Sequence, residues 1–206
     1  MELNRKIEMK SMKSWGVLMN QEFIETLERN PVIAAIFDSS DLEEALNSPC
    51  EVIFLLAGNI CELQMLLDRV HERGKKMFVH IDLLEGVAND RSGIQFLKTY
   101  FHPDGIITTK AVVAKHAKEC GVFVIQRFFL LDSKSYENAY KTVINSDVDA
   151  IEILPGILPE IIHQISQSTS VPVIAGGLVR TKKDATDSLS MGAMAVSTSC
   201  KKLWTM

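Results

Sequence analysis

At residues 171–181 the chain reads VPVIAGGLVRT, and at residues 194–200 it reads MAVSTSC. Each segment begins with a short apolar run that predicts a buried β-strand. One run ends at Gly176 and Gly177, and the other ends at Ser197, Thr198 and Ser199. Glycines lack a Cβ, so backbone N–H groups can approach an anion closely, and the Ser-Thr-Ser turn leads into a predicted helix whose N-terminal amides favour negative charge. Together the two segments predict a phosphate-binding site.

Working outward from this pair, earlier apolar runs predict strands in the same way. The candidates are Val32–Phe37, Glu51–Ala57, Lys76–Asp82, Gly105–Thr109, Val122–Arg127, Ala150–Leu154, Val171–Ala175 and Ala193–Thr198. Amphipathic stretches between them predict helices, and this alternation is typical of βαβ units. The runs VIAAIF (32–37), VIFLLA (52–57) and GVFVI (121–125) are continuously apolar, as expected of parallel strands that are covered on both faces.

Eight such units predict an α/β protein, a (β/α)8 TIM-type barrel in a single domain, and a length of 206 residues suits one domain. The alternative is an open doubly wound sheet. Its dinucleotide-binding form needs Gly-x-Gly-x-x-Gly after the first strand, where this chain has DSSD at 38–41. We assign residues 19–206 to the barrel, with a helix at 20–29 closing its floor. Residues 1–18 are predicted to be an N-terminal extension that is flexible.

The composition of the chain indicates the cellular compartment in which the protein resides. No apolar run approaches the roughly 20 residues that span a bilayer, and residues 1–13 are polar where a secretory signal is apolar. Cys50, Cys61, Cys120 and Cys200 include no C-x-x-C pair, so no metal or redox motif is predicted and we expect reduced core thiols. The sequence therefore predicts a cytoplasmic protein without a membrane partner.

In a barrel of this type, function resides at the carboxyl ends of the strands. Glu152 lies at such an end and needs a partner, because an unpaired buried charge is costly. The alternatives are a hydrogen bond with a ligand hydroxyl and an ion pair with Lys110 or Arg127. Glu152 could also act as a base. His80 and Asp82 are two residues apart and are expected to share one strand face, which suits acid–base chemistry or cation binding. A core histidine and a loop-capping aspartate are equally compatible with the pattern.

The simpler explanation of the glycine pair is a tight turn, and that of Ser199 is a helix N-cap. Their occurrence together on the last two predicted strands favours phosphate, because barrels of this class repeatedly bind phosphate there.

The charge pattern gives no global attraction for polyanions, since the net charge is −4 and the pI is about 5.8. Basic residues nevertheless concentrate in two places, around residues 110–118 and near the C-terminus. The C-terminal group supplies the candidates for RNA contacts: Arg180, Lys182, Lys183, Lys201 and Lys202. A solvated helix face explains such a run equally well, because acidic residues are interspersed with it.

Six stretches resemble the glycerol uptake operon antiterminator family, the glycerol-3-phosphate-responsive antiterminators of Gram-positive and related bacteria. They are PVIAAIFD (31–38), VIFLLAGNI (52–60), FVHIDLLEG (78–86), DGIITTK (104–110), IEILPG (151–156) and PVIAGGL (172–178). The HIDLLEG and DGIITTK blocks are specific, whereas PVIAGG occurs in many phosphate-binding barrels. The resemblance extends from about residue 20 to the C-terminus.

This resemblance implies a regulator without catalytic residues, metal or cofactor, which binds glycerol 3-phosphate and acts on the leader mRNA of glycerol-utilisation genes. By position it implies that the phosphate is held by Gly176, Gly177, Ser197 and Thr198. It also implies that the polyol end is lined by Asp38, His80, Asp82, Lys110 and Glu152. The alternative is a TIM-barrel enzyme acting on a small phosphorylated polyol or sugar, of the isomerase, aldolase or phosphodiesterase type, because fold does not decide function. A homo-oligomer is left open.

Overall fold

The computed structural model describes residues 20–144 and 147–206. Parallel strands form a closed barrel in which each strand pairs with the next along the chain, and the last pairs with the first, Val32 lying opposite Val196. The barrel strands are β1 Val32–Ile36, β2 Val52–Leu55, β3 Lys76–His80, β4 Gly105–Thr108, β5 Val124–Phe129, β6 Ala150–Leu154, β7 Val173–Gly176 and β8 Ala195–Thr198. The predicted (β/α)8 barrel is confirmed.

Helices connect the strands. They are α1 (20–29), α2 Leu42–Asn47, α3 Ile60–Glu72, α4 Arg91–Tyr100, α5 Ala111–Glu119, α6 Ser133–Ile144, α7 Pro159–Ser168 and α8 Lys182–Ser190. Short 3₁₀-helices occur at Ser39–Asp41, Ile81–Leu83 and Lys201–Leu203, and a two-residue parallel pair joins Gly58–Asn59 to Leu84–Glu85. No helix in the described ranges is both long enough and apolar enough to cross a membrane. The predicted extension, residues 1–18, lies outside the described residues.

The continuously apolar strands are explained by two packed layers. Alternate residues such as Ile33, Phe54 and Ile174 fill the barrel interior, and those between them pack beneath the helices. Helix α1 closes the floor as predicted. Its Phe23 ring packs edge-on against Phe78 and Phe123, at centroid distances of 5.1 and 4.8 Å. The carboxyl ends of the strands therefore form the open mouth.

Seven of the eight predicted strands differ from the observed bounds by one or two residues at one or both ends, and two of these differences bear on the site. The strand predicted at Val122–Arg127 begins at Val124, because the Val122 N–H donates to the Ala117 carbonyl in the turn that ends α5, and it continues to Phe129, which pairs with Leu154. The strand predicted at Lys76–Asp82 ends at His80, where the chain turns into a 3₁₀-helix. The first change is important for function, because Arg127 and Glu152 then lie inside the barrel instead of at its rim.

The cysteine expectation was correct only in part. Cys50 and Cys120 are buried, but Cys61 is exposed on α3 and Cys200 is half-buried. All four thiols are free.

Candidate functional site

A layer of polar side chains closes the carboxyl end of the barrel interior. It consists of His80 on β3, Arg127 on β5, Glu152 on β6 and Ser197 on β8, whose exposed fractions are 3%, 6%, 0% and 3%. Each follows an apolar interior residue by two positions, so the strand periodicity directs all four inward. The sequence therefore brings a cation, a carboxylate, an imidazole and a hydroxyl to the base of the mouth.

Glu152 is the centre of this layer. Its Oε2 accepts a hydrogen bond from Arg127 Nε at 2.5 Å, and its Oε1 accepts one from Ser197 Oγ at 2.5 Å. Arg127 and Glu152 are also directly opposite each other in the β5–β6 register. Of the alternatives considered for Glu152, the ion pair with Arg127 is the one found, and Glu152 forms no bond with Lys110. The pairing gives each of these buried groups a partner of opposite charge.

Gly176 is needed for the packing of this pair. A Cβ at Gly176 would overlap Glu152 Oε1 and would lie 2.6 Å from Ser197 Oγ. Its carbonyl accepts a hydrogen bond from the Gly156 N–H at 2.5 Å. Gly176 thus makes room for the polar layer, a role that the sequence pattern did not indicate.

Free backbone donors follow β7 and β8. Gly177 and Leu178 both have left-handed backbone conformations, with φ of 72° and 61°. Within residues 20–144 and 147–206, the N–H groups of Gly177, Leu178 and Ser199 make no hydrogen bond. Successive amides in such a turn can form a concave anion site. These donors lie at the ends of the last two strands, where the sequence predicted an anion site.

The neighbouring helix ends are less available. At the start of α8, Asp184 Oδ2 accepts hydrogen bonds from the N–H groups of Arg180 and Thr181 at 3.0 and 2.8 Å. The final helix is only the 3₁₀ turn Lys201–Leu203, and its N-cap is Cys200. The N-cap explanation of Ser199 was therefore wrong, and the loop amides are the stronger candidates for binding an anion.

Thr198 faces away from the barrel interior, because it follows the inward-facing Ser197 by one residue. Its hydroxyl donates to the Val179 carbonyl at 2.7 Å and accepts from the Cys200 N–H at 3.0 Å. The side chain therefore stabilises the loop that carries the free amides.

His80 is buried in a neutral form. Burial and then the charge of Arg127 lower its pKa from 6.5 to about 4, against a smaller opposite effect of Asp82. Its Nδ1 has no hydrogen-bond partner among the described residues. Buried polar atoms are normally paired, so this nitrogen is a candidate for a ligand contact.

Asp82 and Lys110 form a second group at the mouth. Asp82 accepts hydrogen bonds from Thr108 Oγ1 at 2.9 Å and from the N–H and hydroxyl of Thr109 at 2.7 and 2.8 Å. Burial raises its pKa, but these bonds outweigh burial and the pKa lies below its ordinary value. Lys110 Nζ lies 3.8 Å from Asp82 Oδ1. The expectation that His80 and Asp82 share a strand face was wrong, because the strand ends between them.

Asp38 stands apart from both groups. It is exposed at the end of β1, and its Oδ1 accepts from the N–H and hydroxyl of Ser40 at 2.8 and 2.5 Å. These bonds lower the pKa of the Asp38 carboxyl. Within the described chain it makes no hydrogen bond with another predicted site residue.

Arg127 is the residue that the list of predicted ligands omitted. Its Nε is bonded to Glu152, whereas its two terminal nitrogens make no hydrogen bond with the part of the chain that the structure describes. A signal was present in the sequence, because an arginine within the apolar run VFVIQRFF has to lie inside the barrel or beneath the helices.

The five predicted RNA-contacting cations are all exposed, but they differ in their partners. Lys183 is paired with Asp187 on α8, and Lys201 Nζ lies 2.6 Å from Asp41 and 2.7 Å from Glu44. The other three, Arg180, Lys182 and Lys202, have no ion pair within the described ranges. The same ranges hold no group of three or more His, Cys, Asp or Glu residues arranged to bind a metal ion.

Comparison with known proteins agrees with this arrangement. A family model described as glycerol-3-phosphate responsive antiterminator matches residues 32–204. An uncharacterized protein of Escherichia coli K12, YgcP, is 43% identical over 180 residues, which are 87% of this chain and 94% of that protein.

Two solved structures have the same fold at substantial identity. One is a glycerol uptake operon antiterminator regulatory protein from Listeria monocytogenes, with a TM-score of 0.80, 36% identity, and coverage of 85% of this chain and 95% of that chain. The other is a glycerol uptake operon antiterminator-related protein from Thermotoga maritima, with a TM-score of 0.76, 36% identity, and coverage of 85% and 98%. The chain therefore belongs to the glycerol-3-phosphate responsive antiterminator family.

Proposed function

We propose that this protein is a cytoplasmic sensor of glycerol 3-phosphate that acts on the leader mRNA of glycerol-utilisation genes and prevents transcription from terminating there. Membership of the antiterminator family supports the class of ligand and output. The observation that carries the proposal is a set of donors at one end of the barrel that have no hydrogen-bond partner among residues 20–144 and 147–206. They are the terminal nitrogens of Arg127 and the amides of Gly177, Leu178 and Ser199.

The phosphate end of the ligand is matched by these donors. A phosphate monoester carries roughly −1.5 to −2 charges at pH 7 and offers three acceptor oxygens. Loop amides and an arginine supply hydrogen bonds and one compensating charge. Ser197 and Glu152 hold Arg127 in place, and Gly176 leaves room for them.

The glycerol end faces the remaining polar groups in this proposal. His80 offers an unpaired Nδ1, and Lys110 and Asp82 lie together beside it at the mouth. Glu152 is fully buried and bonded to Arg127 and Ser197, so it acts on the ligand site by holding Arg127, and Asp38 lies at the rim. A neutral His80 is suitable here, because it can donate or accept according to its tautomer.

RNA binding is assigned to the same end of the molecule. Arg180 and Lys182 follow β7, and Lys202 follows β8, so these three cations, which have no ion pair with the described part of the chain, adjoin the loops that hold the phosphate. Bound glycerol 3-phosphate favours one arrangement of those loops, and only a ligand that binds two states unequally shifts the balance between them.

Calorimetric titration with glycerol 3-phosphate tests the ligand, with glycerol and inorganic phosphate as controls. We expect binding that is strongest for the phosphorylated ligand, and NMR after overnight incubation should find the ligand unchanged. Conversion of the ligand into another compound would refute the sensor proposal and support the enzymatic alternative. The absence of binding would refute the proposed phosphate site.

A further inference from the structure

Helix α4 has a solvent face with an unusual composition. Its exposed residues are Arg91, Ser92, Gln95, Phe96, Thr99 and Tyr100, which line one shallow depression, whereas Gly93, Ile94 and Leu97 are buried. The outer face of a surface helix is normally rich in charged residues. Here only Arg91 is charged, while the side chains of Phe96 and Tyr100 are 42% and 65% exposed. We call these six residues the α4 face.

The aromatic rings of this face are arranged as a cluster. The Phe96 ring lies 5.0 Å from the Tyr100 ring and 5.6 Å from the Phe101 ring, centroid to centroid. Arg91 is held only loosely, since its guanidinium lies 3.8 Å from Glu119 on α5. Exposed aromatic residues with an arginine and few lysines or acids are characteristic of the centre of a protein–protein interface. A nucleic-acid backbone would require several cations, and this face has one.

The order of residues along α4 suits a second copy of the same helix as the partner. If a two-fold axis passed between Gln95 and Phe96, two copies of the helix would lie antiparallel. Arg91 then faces Tyr100, Ser92 faces Thr99, and Gln95 faces Phe96. In the first pair a guanidinium stacks on an aromatic ring, in the second two hydroxyls form a hydrogen bond, and in the third an amide covers an apolar ring. None of the three pairs brings two like charges together. A symmetric dimer needs a self-complementary surface of this kind.

We infer that the α4 face binds a second copy of this chain, with the two α4 helices antiparallel. A ten-residue helix is about 15 Å long, so the interface belongs to the small end of the range and the dimer is expected to depend on protein concentration. The inference is independent of the proposed ligand and RNA.

Sedimentation velocity of the full chain over a wide range of protein concentration tests this surface. The unaltered protein is expected to change from monomer to dimer as concentration rises. Phe96→Lys removes a ring and places two ammonium groups near the axis, so it is expected to remain monomeric. Leu131→Lys is the matched control, because it replaces an even more exposed apolar residue on a different face. That variant is expected to dimerise normally.

A charge-pairing experiment tests the register. Ser92→Lys or Thr99→Glu alone places a charge opposite a hydroxyl and weakens the dimer. Mixing the two variant proteins, or combining both changes in one chain, places lysine opposite glutamate and restores association. Both positions are exposed, and thermal unfolding checks that each variant folds. A wild-type chain that stays monomeric, a dimer broken by Leu131→Lys but not by Phe96→Lys, or a lack of restoration would each overturn the inference.

Discussion

The buried pair of Arg127 and Glu152 provides the sharpest test of the site. Arg127→Met leaves a fully buried carboxylate without its counter-charge, and Glu152→Met leaves a buried guanidinium in the same condition. Removing one partner of a buried ion pair costs about 3–5 kcal/mol of the free energy of unfolding. The double variant Arg127→Met/Glu152→Met removes both charges together, and replacement of a whole pair by apolar groups of similar volume is often nearly neutral.

Urea unfolding of the wild type, the two single variants and the double variant measures the differences in the free energy of unfolding, which are obtained from the transition midpoints. We expect each single variant to lose about 3–5 kcal/mol and the double variant to lose much less than their sum, which corresponds to a coupling energy of about 3 kcal/mol or more. If the two losses simply add in the double variant, the charges do not compensate each other and the reasoning about the polar layer is refuted.

The double variant also separates folding from ligand binding. It lacks the terminal nitrogens of Arg127 but retains the loop amides. A hydrogen bond to a charged group contributes about 1.5–3 kcal/mol, so glycerol 3-phosphate should bind about 10- to 100-fold more weakly by calorimetry. A folded double variant that binds the ligand as well as the wild type would exclude Arg127 as a phosphate ligand.

Three further predictions concern pH, packing and RNA. The pKa of about 4 for folded His80 lies below the ordinary 6.5, so as pH falls the unfolded chain takes up the proton first. The stability contribution is unaffected above pH 6.5 and is lost between pH 6.5 and 4, by about 3 kcal/mol. Urea unfolding at several pH values should show this loss in the wild type and not in His80→Gln, and equal pH dependence in both would contradict it. Gly176→Ala should destabilise by about 1–3 kcal/mol in the same assay, because its methyl group overlaps the buried carboxylate; an unchanged midpoint would disprove that contact. Arg180→Ala should weaken leader-RNA binding and reduce its salt dependence by about one counterion. Lys115→Ala on α5 is the control for the RNA measurement, and equal effects of the two changes would argue against the proposed RNA surface.

Much of the barrel could be predicted because its strands have local signatures. Each strand is an apolar run bounded by turn residues, and parallel strands covered on both faces need no other pattern. The helix that closes the barrel floor could likewise be predicted from Phe23 and Leu27, which are both buried. Boundaries were less certain, since the end of β5 at Phe129 depends on pairing with Leu154 in the next strand.

The sequence by itself determined the alternation of strands and helices, the glycine pair at the end of β7 and the polar residues at the strand ends, because these features depend on near neighbours. Only the tertiary structure decided which of those residues meet. Arg127 and Glu152 are 25 positions apart along the chain, and the register of their two strands brings them together. Lys201 forms ion pairs with Asp41 and Glu44, which lie near the other end of the described chain. Barrel closure brings such groups together, and no local pattern specifies the distance between side chains that lie far apart along the chain.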